Sequence, residues 1–229
     1  MKEDRIVISM TIYVPEVLLQ GLFIVLVKRI LSTISQGFIL KKCILGGEIM
    51  RNSKLQLMTK IGVLSALAFI IMFFEFPLPF FPPYLKIDLS DIPAIIGGFA
   101  FGPLAGVLVE LIKNILHLIT KTQTGGVGEL ANFLTGASFV IAASLVYFKN
   151  KSKKNAVIGL AVGTIVMTIV MCLANYYILL PFYLGTPSTV ETIGVILSLT
   201  LPFNIIKGII VSIITALIYK SLSPILHKK

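Results

Sequence analysis

The sequence predicts an all-α integral membrane protein: a compact bundle of six transmembrane helices with a structured outer loop between the first and second. Three observations carry that expectation. Hydrophobic residues make up 56% of the chain and charged residues only 13%, a balance that a water-exposed surface does not accommodate at this length. The apolar residues fall into segments of spanning or near-spanning length, separated by short polar connections. The basic residues behind the net charge of +10 sit mainly in those connections, as cytoplasmic anchors do. They form no interleaved basic and aromatic face, so the charge points to a lipid bilayer and away from nucleic acid.

Residues 1–49 stand apart. An apolar run from Ile6 to Val27 is interrupted by Pro15, Glu16 and Gln20 and followed by Lys28 and Arg29, which makes a poor spanning helix and a secretory signal without a clean cleavage site. Gly46, Gly47 and Glu48, just before Met50, are encodable as a purine-rich ribosome-binding sequence. The expectation is that 1–49 are translated leader and that one membrane domain occupies 50–229. A genuine amphipathic N-terminal extension is the alternative.

From Met50 the pattern is regular. Arg51, Lys54 and Lys60 precede a first apolar segment at about 61–74, which runs into a loop broken by Pro77, Pro79, Pro82 and Pro83 and carrying Tyr84, Lys86, Asp88, Ser90 and Asp91. Segments at about 92–101 and 103–119 follow as a short pair bent at Gly102 and Pro103, with Gly97, Gly98, Ala105 and Gly106 permitting close backbone approach. A polar turn at 121–128 leads to a fourth segment at about 129–148, closed by the lysine-rich run KNKSKK. The fifth, about 156–180, and the sixth, about 193–219, flank a Pro/Gly/Thr loop, and the chain ends in Lys220, His227, Lys228 and Lys229. Six crossings with both termini cytoplasmic place every lysine-rich connection on one side, and the loops at 76–90, 121–128 and 181–192 on the outer side.

Polar side chains inside apolar segments are expensive, so each is a candidate for function. Asn204 and Lys207 share one face of the sixth segment, and Asn175 lies toward the outer end of the fifth; lipid-headgroup snorkelling by the lysine and interhelical bonding by the asparagines is the structural alternative. Glu110, Lys113, Asn114 and His117 form a second set on one face of the third segment, either lining a cavity or neutralising one another. Tyr84, Lys86, Asp88 and Asp91 are expected to shape the first loop and its polar contacts, with Asp91 or Ser90 also serving as helix cap. Glu129 and Asn132 are divided between capping and ligand contact.

Several chemistries have no carrier. There is no phosphate-binding loop, no dinucleotide fingerprint, no nucleophile motif and no pair of metal-binding histidines. Cys43 and Cys172 are far apart and read as free thiols. A small membrane enzyme acting on lipid-linked substrates would need paired carboxylates, for which Asp88 and Asp91 are the sole candidates. Any ATP-driven work therefore draws its energy from partners. The first segment offers a surface for one: Gly62 and Ala66 make a small-x-x-x-small pair, unless they pack inside the bundle instead.

The run KIDLSDIPAIIGGFAFGPLAGVLVELIKNILH followed by TGGVGELANF closely resembles the riboflavin-specific S components of energy-coupling factor (ECF) vitamin transporters, and the resemblance extends from about Leu55 to the C-terminus. It implies a non-enzymatic plasma-membrane protein that binds riboflavin as transported substrate, without a cofactor, and works with a transmembrane coupling subunit and two ATPase subunits. Asn175 in LANYYILLP, and Asn204 and Lys207 in LPFNIIKG, match the positions where the family holds the flavin ring. The residue types suit the task. An asparagine amide matches the alternating carbonyl and imide groups of the isoalloxazine edge, while a lysine supplies donors to a ring carbonyl or nitrogen. Gly62 departs from the alanine-x-x-x-alanine pattern by which the family meets its coupling subunit. An S component for another vitamin such as thiamin is the nearest alternative.

Overall fold

The computed structural model describes residues 53–226 except 79, 83, 84, 123 and 185–189, all within the second of two compact units, Asn52–Lys229. The expected leader and Tyr84 lie outside the described residues. Helix α1 (Ser53–Met72) is followed by a two-stranded antiparallel hairpin, β1 (Phe76–Pro77) and β2 (Lys86–Ile87), in which Phe76 pairs with Ile87 and Pro77 with Lys86. Then come α2 (Asp91–Phe101), α3 (Pro103–Lys121), α4 (Val127–Lys149) and α5 (Lys153–Ala174). A π turn (Asn175–Leu179) carries α5 into α6 (Leu180–Leu184), and a second (Ile196–Thr200) carries α7 (Val190–Val195) into α8 (Leu201–Leu226).

Five stretches are long and apolar enough to cross a membrane: Lys54–Met72, Pro103–Lys121, Val127–Lys149, Lys153–Phe182 and Thr192–Tyr219. Helix α2, 11 residues long, is apolar but shorter than a bilayer core requires. The first helix begins earlier than the sequence reading places it, because nothing between Ser53 and Lys60 breaks a helix; Lys60 lies over the Phe101 ring at 5.1 Å.

The α2–α3 bend is local chemistry. Gly102 has φ 110° and ψ 161°, a conformation that favours glycine, and Pro103 opens α3 at the position where its missing N–H costs nothing. The two helices then fold against α4 at near-contact: a Cβ on Gly106 would meet Ala94 O at 2.6 Å as well as the Val140 side chain, and one on Gly98 would overlap Ser144. Small residues are required there. Below this point the core closes on an aromatic knot, with Phe99 stacked on Tyr147 at 4.5 Å and the Tyr147 and Tyr219 hydroxyls 3.0 Å apart.

Helix α3 is turned inside out relative to a helix in a water-soluble protein. Leu104, Leu108, Leu111, Ile115, Leu118 and Ile119 are exposed, while Glu110, Lys113, Asn114 and His117 are buried. In a bilayer the outward face meets lipid and the inward face must find polar partners, which α2, α4 and the hairpin supply.

Candidate functional site

The buried face of α3 meets a cluster drawn from the whole chain. Lys113 Nζ lies 2.6 Å from Asp91 Oδ1 and 2.8 Å from Glu110 Oε2, and donates to Ser90 Oγ at 2.7 Å. Lys207 Nζ, from α8, lies 3.3 Å from Asp88 Oδ2 and 3.2 Å from Asp91 Oδ2. Asn132 Nδ2, from α4, donates to the same Asp88 oxygen at 3.0 Å. Three carboxylates thus face two ammoniums, and all five side chains are buried. Such a network holds only because each charge has close partners.

Asp88 is the hub, because it leaves the hairpin just before α2 and reaches both α4 and α8. Its Oδ1 accepts from the Ser90 backbone N–H at 2.9 Å and from the Ser90 hydroxyl. Burial alone would push the Asp88 carboxyl up. The ammoniums of Lys207 and Lys113, with the hydrogen bonds from Ser90, outweigh it and hold the group well below the usual carboxylate range. The expected cap at the start of α2 is therefore not made by Ser90: its side chain forms no capping bond, because the hydroxyl is committed to Asp88 and Lys113.

The remaining candidates fall around this hub. Asn204 is buried on α8 and its Nδ2 donates to Thr200 O at 2.8 Å; Asn175, half-buried where the first π turn begins, donates to Met171 O at 2.8 Å. The two π turns lie against each other, so the turn that opens with Asn175 meets the turn that ends four residues before Asn204. π turns recur at functional sites because they aim side chains off the ordinary helical register. Lys207 does not snorkel: it points inward to two carboxylates. Next to Asn204, Phe203 packs against Phe81 of the hairpin loop at 5.7 Å between ring centres, so that loop rests on the helix carrying Asn204 and Lys207.

Two predicted residues serve the rim. Glu129, in the first turn of α4, lies 3.0 Å from His117 Nδ1 and accepts from Thr122 and Thr124 at 3.2 and 3.3 Å. Lys86 pairs with Glu75 at 2.8 Å, and Lys121 approaches the same carboxylate at 3.5 Å. The sequence reading took Ser90 and Asp91 for the first loop and a helix cap, and left Glu110 and Lys113 between lining a cavity and neutralising one another; the structure pairs the two and joins Lys113 to Ser90 and Asp91 as well. The i, i+3 spacing of Glu110 and Lys113 announced their pair, but nothing in one sequence links them to Lys207. On α1, Ser65 and Ala68 face the core, whereas Gly62 and Ala66 face outward, and a Cβ built on Gly62 meets nothing within 4 Å. Among the described residues, no group of three or more His, Cys, Asp or Glu side chains is arranged to hold a metal ion.

Known proteins share this arrangement of helices. The family model described as "ECF transporter, substrate-specific component" matches residues 56–219. The riboflavin transporter RibU of Staphylococcus aureus (strain TCH60) is 44% identical over 173 residues, covering 73% of this chain and 90% of that protein. The riboflavin transporter FmnP of Bacillus subtilis (strain 168) is 39% identical over 178 residues, covering 75% of this chain and 94% of its own length. A solved structure, described as that of the S component of a bacterial ECF transporter, superposes with a TM-score of 0.67 at 44% identity, over 77% of this chain and 100% of that one. The chain belongs to the family of ECF transporter substrate-specific components.

Proposed function

We propose that this protein is the riboflavin-binding component of an ECF transporter and that Asn175, Asn204 and Lys207 hold the vitamin. The observation that carries the reading is Lys207. A lysine buried in a membrane protein and held by two carboxylates presents its remaining N–H as a fixed donor, which suits a ring carbonyl or nitrogen of the isoalloxazine. The two relatives at 44% and 39% identity are both named riboflavin transporters, which favours riboflavin over thiamin. Riboflavin is here cargo and not a cofactor, and the chain carries out no catalysis.

In this reading α2 completes a six-helix bundle, the hairpin loop forms a structured lid-side wall facing outward, and both termini are cytoplasmic. Tyr84, Lys86 and Asp88 shape that wall, and Glu129 and Asn132 border the ligand. A transmembrane coupling subunit docks on the outward face of α1 at Gly62 and Ala66 and passes on the work of two ATPase subunits. The open space at Gly62 supports that placement over packing inside the bundle. The direct experiment is to purify the full chain in detergent and titrate it with riboflavin, following quenching of flavin fluorescence. Saturable quenching at micromolar or lower riboflavin is expected, with thiamin failing to compete. Absence of quenching would overturn the assignment.

A further inference from the structure

The buried charges of the cluster do not balance. Asp88, Asp91 and Glu110 face Lys113 and Lys207, three acids against two ammoniums. The described residues packed around Glu110 add no further cation. The loop before α2 brings Asp88, α2 brings Asp91 and α8 brings Lys207, while the stretch of α4 around Gly136 and the α1 run 61–72 hold no ionisable side chain. On α3 itself Lys113 is the neighbour, and His117, two turns on, is engaged with Glu129. One negative charge is therefore left over in an apolar interior. An uncompensated carboxylate is costly there, and taking up a proton is the state of lower energy.

The contacts single out which acid is left over. Asp88 accepts from the Ser90 N–H and hydroxyl, from Asn132 and from Lys207. Asp91 has an ammonium at each oxygen, Lys113 at 2.6 Å from Oδ1 and Lys207 at 3.2 Å from Oδ2. Glu110 has Lys113 alone, at Oε2. That ammonium has three N–H groups, and three oxygens lie within 2.8 Å of it: Ser90 Oγ, Asp91 Oδ1 and Glu110 Oε2. No donor remains for Glu110 Oε1, which is buried without a hydrogen-bond partner among the described residues. It lies against the backbone of α4, where a Cβ on Gly136 would come within 2.7 Å of it.

We propose that the buried cluster is a proton-binding site and that Glu110 holds the proton, with Oε2 as the acceptor facing Lys113 and Oε1 carrying the hydrogen. The cluster then consists of two carboxylates, two ammoniums and one neutral acid, so the hairpin, α2, α4 and α8 join in the membrane interior with no residual charge. The proposal does not depend on which vitamin is bound. Full-length wild type and Glu110→Gln are compared in detergent at about pH 7 by infrared difference spectroscopy and thermal unfolding. Glutamine matches a protonated carboxyl in shape and charge. The wild-type-minus-variant spectrum should show the C=O stretch of a protonated carboxyl and no carboxylate stretch. Glu110→Gln should melt within about 3 °C of wild type, whereas Asp91→Asn, which removes a charge with two ammonium partners, should melt earlier by on the order of 10 °C. A carboxylate stretch in the difference spectrum would overturn the proposal. If wild-type melting also rose with sodium chloride but not with choline chloride, a bound monovalent cation would take the place of the proton. A Glu110→Gln protein that fails to fold, or melts as early as Asp91→Asn, would overturn it equally, since Glu110 would then be an ionised partner of Lys113.

Discussion

Lys207→Ala should damage the protein in two separable ways. The substitution deletes an ammonium 3.3 Å from Asp88 and 3.2 Å from Asp91 and leaves three carboxylates around Lys113 alone. At an effective dielectric of about 20, each lost attraction amounts to about 5 kcal/mol. Desolvation of the lysine offsets part of this, and removing one member of a buried pair typically costs about 3–5 kcal/mol. That corresponds to a fall in melting temperature on the order of 10 °C. Asn204→Ala removes only a bond to Thr200 O within its own helix, about 0.5–1.5 kcal/mol. Both variants should weaken riboflavin binding, but only Lys207→Ala should melt early. Adding Asp88→Asn to Lys207→Ala removes a carboxylate along with its lost counter-charge and should restore most of the stability without restoring affinity. The assays are thermal unfolding in detergent and fluorescence titration on the same preparations. Wild-type melting of Lys207→Ala would refute the buried pairing, and recovered affinity in the double variant would refute contact between Lys207 and the ligand.

Three further outcomes are expected. Gly62→Leu, placed where a side chain meets open space, should retain riboflavin binding in detergent yet reduce uptake in cells at matched membrane expression; normal uptake would mean that this face does not meet the coupling subunit. Gly136→Ala should part α3 from α4, since the added Cβ would sit 2.7 Å from Glu110 Oε1 and closer still to the rest of that carboxyl group. A loss of about 1–3 kcal/mol is expected, and a thermally neutral variant would contradict the close approach. Because the Asp88 carboxyl is held below its ordinary value of 3.8, its contribution is fully present above that value and is lost only as pH falls through the lowered one. The melting-temperature gap between wild type and Asp88→Asn should therefore stay constant between about pH 8 and 5; a gap that changes in that range would show that burial outweighs the ammoniums and raises the Asp88 carboxyl above its ordinary value.

Legibility in the sequence followed the range of the interactions. The break at Gly102 and Pro103, the lysine-rich connections and the polar face of α3 are written in neighbouring residues, and they were readable. The charged hub was not, because its members lie in five separate elements and no local pattern pairs Asp88 with Lys207. Lys207 was expected to face a ligand or the headgroups, but it also has two carboxylates to hold. The π turns escaped as well: a periodicity of 3.6 carries no sign of where one extra residue enters a turn, and Asn175 opens one of them while Asn204 bonds to the last residue of the other.

The separation between the hub and its last partner bears on how the protein is made. Asp88 and Lys207 are 119 residues apart, and at the usual pace of synthesis, about 5–20 residues per second, roughly 6 to 24 s elapse between their appearances. From Lys113 onward the ribosome has delivered two aspartates and Glu110 of this cluster with Lys113 as their one ammonium partner in it. Closing the region in that state would leave buried charge uncompensated, at a cost of several kcal/mol, until α8 brings Lys207. Arrested or C-terminally shortened chains, which lack that ammonium, should accordingly be more readily degraded by membrane proteases than the full chain.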